Sequence, residues 1–246
     1  MGRKRQEPRR MTQLLIIAPT ARELGSDWRL PANVRTDVVG LGEAAGLKLR
    51  ALLGEIKPRA VLSLGFAGAL RDGLRTGDVV IADRVSMGDG SARSYGSPAA
   101  EALRAQMPAG STASAPCDLL TTASPLLSAA EKRSHGEESG AGVLDLEGGW
   151  IAAEAERARV SLVLVRVVLD EVGLSLPALV QTIVDDGGAN EWLHAIGFLL
   201  RRPLAVRDLI GLASRSRAAT RALGQVARTI VPMLVASEAE PGAARA

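Results

Sequence analysis

The sequence predicts an α/β fold: a single domain with a mixed, mainly parallel central sheet flanked by helices, followed by a helical C-terminal extension. Apolar runs typical of buried parallel strands recur from residue 13 to residue 172, beginning with the fully apolar run 14–18. Segments of helical character separate these runs, an alternation typical of a parallel sheet covered by helices. From Gly173 onward no clear strand follows.

The individual elements follow from these runs and from the residues that end them. Strands are predicted at 14–18, 34–39, 60–64, 79–82, 119–122, 143–147 and 161–170. Helices are predicted at 43–56, 101–107, 124–135, 148–157 and 206–230, with a short helical or loop element at 19–24. Pro58 and Pro232 are expected to stop two helices, because proline lacks the backbone N–H and restricts the residue before it.

Charge divides the chain into a basic leader and a nearly neutral body. The formal net charge is +3, but residues 1–10 hold five basic residues and one acid, so the positive excess lies in this segment. The leader is expected to be disordered, or to precede a true start at Met11. The rest, residues 11–246, is the predicted domain, with 174–246 as its helical tail. Nucleic acid is therefore not a predicted partner.

Cysteine usage and hydropathy bear on the cell compartment. The single cysteine, Cys117, excludes an internal disulfide and fits a reducing cytoplasm. No apolar run approaches the roughly 20 residues of a membrane span. We expect a cytoplasmic protein. An alternative is an adaptor at the membrane surface that uses the leader and the apolar tail, and liposome co-sedimentation of a chain starting at Met11 would test the leader's part.

Two motifs suggest other chemistry and are weak. Gly40, Gly42 and Gly46 follow a strand and precede a helix, which is a variant of the dinucleotide-binding fingerprint, but no acid ends the next strand. A tight turn that offers backbone N–H groups to a ligand is the alternative. His135 and His194 lack a nucleophile or ligand cluster beside them, so neither a catalytic triad nor a metal site is predicted.

Charged residues in apolar strands are the most informative feature. Asp145 and Glu147 are two apart and share a strand face, and Arg166 and Asp170 do so if their strand continues. Buried charges are costly unless they are paired or used. They therefore predict either a structural ion-pair network or a site that uses an acid, a hydroxyl-binding carboxylate and an arginine.

At these residues the chain resembles the purine nucleoside phosphorylase and nucleosidase superfamily, and within it the nucleosidases that act on methylthioadenosine and S-adenosylhomocysteine. Several motifs carry the resemblance in order over most of residues 13–172. They are the strand and acid of 14–23, the glycine turn and helix of 40–58, the glycine-rich loop of 63–70 with the strand at 76–80, Asp145-Leu146-Glu147-Gly148, and Val165-Arg166-Val167-Val168-Leu169-Asp170.

The resemblance implies a role for each matching residue. Catalytic roles fall on Glu23, which would activate water, Arg166, which would lie near that water, and Asp170, which would protonate or hydrogen-bond N7 of the departing purine. Glu147 would hydrogen-bond the ribose hydroxyls. The other implied substrate-binding residues are Leu146 beneath the sugar and Phe66, Ala67 and Gly68 in the glycine-rich loop. No metal and no cofactor is implied.

The chain departs from the family pattern at several points. Ser63 stands where phosphorylases carry an arginine, and the early arginine motif of the hexameric phosphorylases is absent from residues 19–22, so hydrolysis is favoured over phosphorolysis. Arg22 or Arg71 could still supply a phosphate site. Leu169 replaces the usual Ser before the Asp. Phosphorolysis, or a non-catalytic relative that binds a nucleoside or lipid, remains the alternative.

The chain ends suggest the branch of the family. Two features resemble the hopanoid-associated branch, which removes adenine from adenosylhopane. One is the short interval between Glu23 and Gly40. The other is the apolar tail of 174–203, with Leu193, Ile196, Phe198 and Leu199. The implied partner is a purine nucleoside with a lipophilic 5′ group, with peripheral membrane contact. The family also implies a homo-oligomer, a dimer by default.

Overall fold

The computed structural model describes residues 13–24, 28, 30–88, 92–93, 97–177, 180–181 and 206–237. The strands are β1 (Leu14–Ala18), β2 (Val34–Val38), β3 (Ala60–Ala69), β4 (Val79–Met87), β5 (Ala92–Arg93), β6 (Cys117–Thr121), β7 (Val143–Asp145) and β8 (Ser161–Asp170). The helices are α1 (Ala21–Leu24), α2 (Glu43–Ile56), α3 (Pro98–Ala105), α4 (Ala129–Ser139), α5 (Gly148–Ala158) and α6 (Val206–Ser237), with a 3-10 turn at Thr112–Ser114.

Five of these strands hydrogen-bond in a closed ring. β3 pairs with β8, β8 with β4, β4 with β6, β6 with β7, and β7 again with β3. β1 and β2 extend the sheet from β3, and β5 extends it from β4. Parallel pairs outnumber antiparallel ones among the described strands, which confirms the predicted mixed, mainly parallel α/β fold.

The sheet is buried on both faces because alternate residues of its central strands enter two different cores. In β1, Leu15 and Ile17 face the first core, which lies against α2 and α5, while Leu14 and Ile16 face the second, which lies against α3 and α6. Apolar residues on both faces explain why the strands appear in the sequence as continuous apolar runs.

Helical spacing of apolar residues directs each helix to its core. In α2, Ala45, Leu49 and Leu52 are buried, and in α6 the buried residues recur at three- and four-residue intervals. The buried residues of α6 are Ala219, Leu223, Ala227, Ile230, Val231 and Leu234. No helix among the described residues is long and apolar enough to cross a membrane.

Several predicted boundaries differ from the structure. β3 and β4 continue past residues 64 and 82, to Ala69 and Met87. The third helix starts earlier, at Pro98, where Ser97 accepts a hydrogen bond from the Ala100 N–H. The helix predicted at 124–135 instead covers 129–139, because the side chains of Ser128 and Glu131 form a reciprocal capping box.

The prediction that Pro232 ends the last helix is wrong, since α6 runs through Pro232 to Ser237. Pro232 is exposed, while Ile230, Val231 and Leu234 are buried around it. The Arg228 carbonyl, which loses its hydrogen-bond donor to the proline, can therefore be hydrated. Packing of the buried residues holds the helix on both sides of Pro232. The predicted leader at 1–10 and the apolar patch at 193–200 lie outside the described residues.

Candidate active site

Arg166 of β8 is the centre of a buried charged cluster. Its guanidinium is fully buried, and its Nε donates to Oδ2 of Asp145 at 2.8 Å. Nη1 donates to the carbonyls of Ser63 and Val165 and to the Ser63 hydroxyl, at 3.1–3.2 Å. Burial disfavours the cation, but Asp145 and Glu147 outweigh it and raise the pKa of Arg166.

Asp145, at the end of β7, holds this arginine and also starts α5. Its Oδ1 accepts a hydrogen bond from the Thr121 hydroxyl at 2.6 Å, and both carboxylate oxygens accept from the Gly148 N–H at the first turn of the helix. A carboxylate at this position satisfies a free N–H of the helix and lies at the positive end of the helix dipole. Asp145 therefore fixes the geometry of the cluster.

Glu147 lies on the other side of the same guanidinium. Its Oε1 is 3.3 Å from Nη2 of Arg166, and its side chain is buried. Burial, together with the negative charge of Asp145, raises the pKa of Glu147 well above its ordinary value, although Arg166 acts in the opposite direction. A carboxyl group with a raised pKa takes up a proton more readily, and in the protonated form it can both donate and accept hydrogen bonds.

Glu23, on α1, reaches the cluster from the opposite end of the chain. Its Oε2 accepts from the N–H and hydroxyl of Thr20, at 3.0 and 2.6 Å, and its Oε1 accepts from the Phe66 N–H at 3.1 Å. Burial raises the pKa of Glu23, while the Thr20 hydroxyl, the Phe66 N–H and the Arg166 charge lower it. Glu23 can therefore act as a base and take up a proton.

Nη2 of Arg166 is the nitrogen of the guanidinium that could still donate a hydrogen bond to a ligand. It lies 2.7 Å from Oδ2 of Asp145, but among the described residues it has no partner in hydrogen-bonding geometry, although it is buried. A buried donor without a partner is costly and is normally satisfied by water or a ligand. A water molecule or another small acceptor beside Nη2 would satisfy this donor.

Glycines of β3 leave room for the charged side chains beside the strand. A Cβ on Gly65 would lie 3.3 Å from Oε1 of Glu147 and 3.4 Å from the Arg166 guanidinium, so a side chain there would crowd both groups. Gly68, three residues further along β3, lies opposite Asp170 in the register. A Cβ on Gly68 would be 3.4 Å from the Asp170 carboxylate.

Asp170 is held by a lysine. Nζ of Lys132 on α4 donates a hydrogen bond to Oδ2 of Asp170, and both side chains are almost completely buried. Burial raises the pKa of Asp170, and the Lys132 ammonium, with a further contribution from Arg215 on α6, acts in the opposite direction. The register between β3 and β8 shifts by one residue at Leu169. Arg166 and Asp170 would share a strand face only if side chains alternated regularly between them, and the shift interrupts that alternation.

These groups lie along one segment of β3. Glu147 and Arg166 lie beside Gly65, Glu23 contacts the backbone of Phe66, and Asp170 lies beside Gly68. Three strand residues span about 10 Å. The described residues contain no group of three or more His, Cys, Asp or Glu side chains that could hold a metal ion.

The sequence profile of the phosphorylase superfamily matches residues 34–191, well over half of the chain. The chain belongs to the phosphorylase superfamily. This match confirms the predicted family and the predicted enzyme class, a nucleosidase or a phosphorylase. A comparison with curated protein sequences found no significant match.

Solved structures with the same fold include nucleosidases and a futalosine hydrolase. A 5′-methylthioadenosine/S-adenosyl homocysteine nucleosidase of Helicobacter pylori is 16% identical, with a TM-score of 0.61 over 91% of this chain and 99% of the other. The corresponding Streptococcus pneumoniae nucleosidase is 18% identical, with a TM-score of 0.58 over 76% and 98%. The futalosine hydrolase of H. pylori is 18% identical, with a TM-score of 0.54 over 64% and 88%.

The structure of this superfamily member brings together Glu23, Glu147 and Arg166, and it places Asp170 at the end of β8, opposite Gly68 of β3. Leu146 is half-buried, while Ala67 is buried in the first core, so only its backbone is available to a ligand. Phe66 and Gly68 are partly exposed.

Lys132 is a buried residue of the site that the sequence does not predict. α4 is polar over most of its length and Lys132 is its one buried residue, so hydrophobic periodicity gave no sign that this lysine points inward.

Proposed function

We propose that the protein cleaves the N-glycosidic bond of a 5′-modified purine nucleoside and releases adenine, with water as the nucleophile. The observation that carries this proposal is the convergence of buried Glu23, Glu147 and Arg166 on Gly65 and Phe66 of β3. Asp170, at the end of β8, pairs with Gly68, which lies three residues, or about 10 Å, beyond Gly65 along β3. That separation is similar to the length of a nucleoside, from the sugar to the far edge of the base.

Glu23 and Arg166 are the groups proposed to hold and activate the water. The two oxygens of Glu23 accept three protein hydrogen bonds, which leaves capacity for one more donor. Nη2 of Arg166 supplies a buried donor for the water oxygen. As the water attacks the anomeric carbon, its proton passes to Glu23, whose raised pKa makes it a stronger base than an exposed glutamate.

Asp170 is the proposed acid for the departing base. Cleavage passes through an oxocarbenium-like state, and a proton or hydrogen bond at N7 of the purine lowers the barrier to departure. Glu147 is proposed to hydrogen-bond the ribose hydroxyls, for which a carboxyl of raised pKa is suited. Leu146 would pack beneath the sugar, and Phe66, Ala67 and Gly68 would line the position of the base.

The cluster favours water over phosphate as the nucleophile. The hydroxyl of Ser63 accepts a hydrogen bond from Arg166 and is fully buried, so Ser63 offers no cation to an incoming anion. Arg166 itself commits Nε and Nη1 to protein acceptors. One remaining guanidinium nitrogen is a weak basis for binding phosphate, which usually takes bidentate or multiple cationic contacts.

Adenosylhopane is the proposed substrate, and hopanoid biosynthesis the proposed setting. The support is the sequence alone: the apolar residues Leu193, Ile196, Phe198 and Leu199 would suit a lipophilic 5′ group. We also propose peripheral contact with a membrane surface and a homo-oligomer. Liposome co-sedimentation and analytical ultracentrifugation test these two points.

The test is release of adenine from adenosylhopane, 5′-methylthioadenosine and S-adenosylhomocysteine, and of the purine base from futalosine, each with and without phosphate. We expect release that does not depend on phosphate, highest for adenosylhopane, with ¹⁸O from labelled water in the sugar product. A sugar 1-phosphate would instead indicate phosphorolysis. Absence of base release from every compound would overturn the proposal.

Two variants separate catalysis from binding. Asp170→Asn should abolish release, whereas Asp72→Asn, which changes an exposed carboxylate paired with Arg133, should not. A non-catalytic relative that binds a nucleoside or lipid is the alternative. It would be favoured if the unmodified protein bound a substrate without turnover and Asp170→Asn bound it equally well.

A further inference from the structure

Lys132 is a fully buried lysine with a complete set of partners. Its Nζ donates to Oδ2 of Asp170, to the Leu174 carbonyl at 2.7 Å and to the Glu171 carbonyl at 3.2 Å. An ammonium has three N–H donors and no acceptor, so three acceptors match the charged form of the side chain. The ammonium of Lys132 therefore lies beside the carboxyl group of Asp170 in the interior of the protein.

The contact fixes the side chain of Asp170 as well as neutralising its charge. In the part of the chain that the structure describes, Lys132 is the one group that donates a hydrogen bond to the side chain of Asp170. It also links α4 to the segment that follows β8, through the carbonyls of Glu171 and Leu174. Oδ2 is thereby anchored, and both carboxylate oxygens lie beside Gly68, at 3.4 and 3.5 Å from the position of a Cβ there.

This arrangement explains how the fold accommodates Leu169. Leu169 packs against the second core, and its carbonyl accepts a hydrogen bond from the Thr76 hydroxyl, so its side chain gives Asp170 no hydrogen bond. A carboxylate buried without a partner would be costly. Lys132, from a helix 38 residues earlier in the chain, supplies the partner that the neighbouring position lacks.

We propose that Lys132 is the positioning residue for Asp170: its ammonium orients the carboxylate towards the departing base and sets the pH range over which Asp170 holds the proton that the base receives. The inference rests on the proposed function and deepens it, because it assigns the control of the acid to a residue outside the substrate-contacting set.

The pH dependence has a definite sign. Burial raises the pKa of Asp170, and two cations oppose it, Lys132 from α4 and Arg215 from α6. Gly68 of β3 also lies beside the carboxylate, and the Leu144 side chain of β7 lies beside Gly68. Removal of the Lys132 charge leaves burial opposed by Arg215 alone, so the pKa of Asp170 rises further. Asp170 then keeps its proton to higher pH.

The experiment compares the pH profiles of kcat/KM for Lys132→Met, Lys132→Gln and Lys132→Arg. The two neutral variants should move the basic limb up by about one to three pH units. They should also lower kcat by about 10- to 100-fold through loss of positioning. Lys132→Arg, which keeps the charge, should keep the position of the limb. Arg133→Met, which removes an exposed ion pair from the same helix, should leave both quantities unchanged.

A second measurement does not require turnover. The titration of the Asp170 carboxyl, followed by ¹³C NMR as the signal missing from Asp170→Asn, should move to higher pH in the neutral variants. An unchanged titration in Lys132→Gln or Lys132→Met, or an equal shift in Lys132→Arg, would overturn the role of Lys132. Absence of base release by the unmodified enzyme would instead overturn the proposed function. If neither neutral variant folds, the Lys132→Arg result decides.

Discussion

Glu23 combines a local structural role with a place in the buried cluster. It closes the first turn of α1 by accepting hydrogen bonds from Thr20, three residues earlier, in the manner of a capping box. Its other oxygen accepts from the Phe66 N–H. Burial raises the pKa of Glu23, and the hydrogen bonds that fix its carboxylate lower this pKa by a smaller amount. The pKa of this base therefore depends in part on Thr20.

Glu23→Gln should lower kcat/KM by about 10²- to 10⁴-fold, since an amide cannot accept the proton of the attacking water. In the unmodified enzyme, activity should fall as the pH drops through the raised pKa of Glu23, because the base must be ionised. Thr20→Val removes a hydrogen bond that lowers this pKa, so the acid limb should move to higher pH. Rate measurements over pH check both results. An acid limb that stays in place in Thr20→Val would contradict the assignment.

Glu147 should reduce stability at neutral pH. Because its pKa is raised in the folded state, folding takes up a proton above the unfolded pKa, and stability falls as the pH rises towards the folded pKa. Glu147→Gln avoids this cost and should gain stability relative to the unmodified protein by up to about 1.4 kcal/mol per pH unit in that window. Urea unfolding at several pH values measures the difference.

Glu154 provides the matched control for this prediction. It is also a buried acid, but hydrogen bonds from Arg50 lower its pKa, so Glu154→Gln should lose stability at neutral pH. If Glu147→Gln were destabilised in the same way, pairing with Arg166 would outweigh burial. The two variants together show whether the site stores unfavourable energy, as functional sites often do.

At the scale of elements, the sequence predicted well where burial follows a regular period. The bounds of β1 and α2 are those expected, because a continuous apolar run and a 3.6-residue period are local signals. The start of α4 was misplaced, because Ser124 and Pro125 resemble a helix start, whereas the side-chain exchange of Ser128 with Glu131 sets the real one. The Lys132–Asp170 pair could not be predicted, since it depends on how α4 docks.

In α6, tertiary packing overrides a local signal, the proline that was expected to end the helix. Pro232 removes the hydrogen bond to the Arg228 carbonyl, yet the helix continues. Pro232→Ala should therefore raise the free energy of unfolding by roughly 1–3 kcal/mol, because it restores that bond at an exposed position. Denaturant unfolding measures this gain. Gln225→Ala, an exposed change in the same helix, should gain only a few tenths of a kcal/mol, and an equal gain in both variants would contradict the explanation.

At the scale of the whole molecule, the closed ring of strands joins the two cores. β3 and β8 send alternate residues into each: Val61 and Leu162 enter the first core, and Leu62 and Val163 enter the second. Unfolding of one core would expose strands whose opposite face forms part of the other core. The site residues on these strands lie in their carboxyl-terminal halves, so the packing that stabilises the fold also holds Arg166 and Asp170 in place.

The two cores should therefore unfold together. Trp28 packs against the second core, while Trp150 of α5 lies beside Gly46 of α2 on the first. Variants with one fluorescent tryptophan, made by replacing Trp192 and either Trp28 or Trp150 with Phe, report each side separately. Urea transitions followed by either tryptophan and by circular dichroism should share one midpoint. Separate midpoints would mean that α6 and α3 leave the sheet independently, and the shared strands would then not couple the two faces.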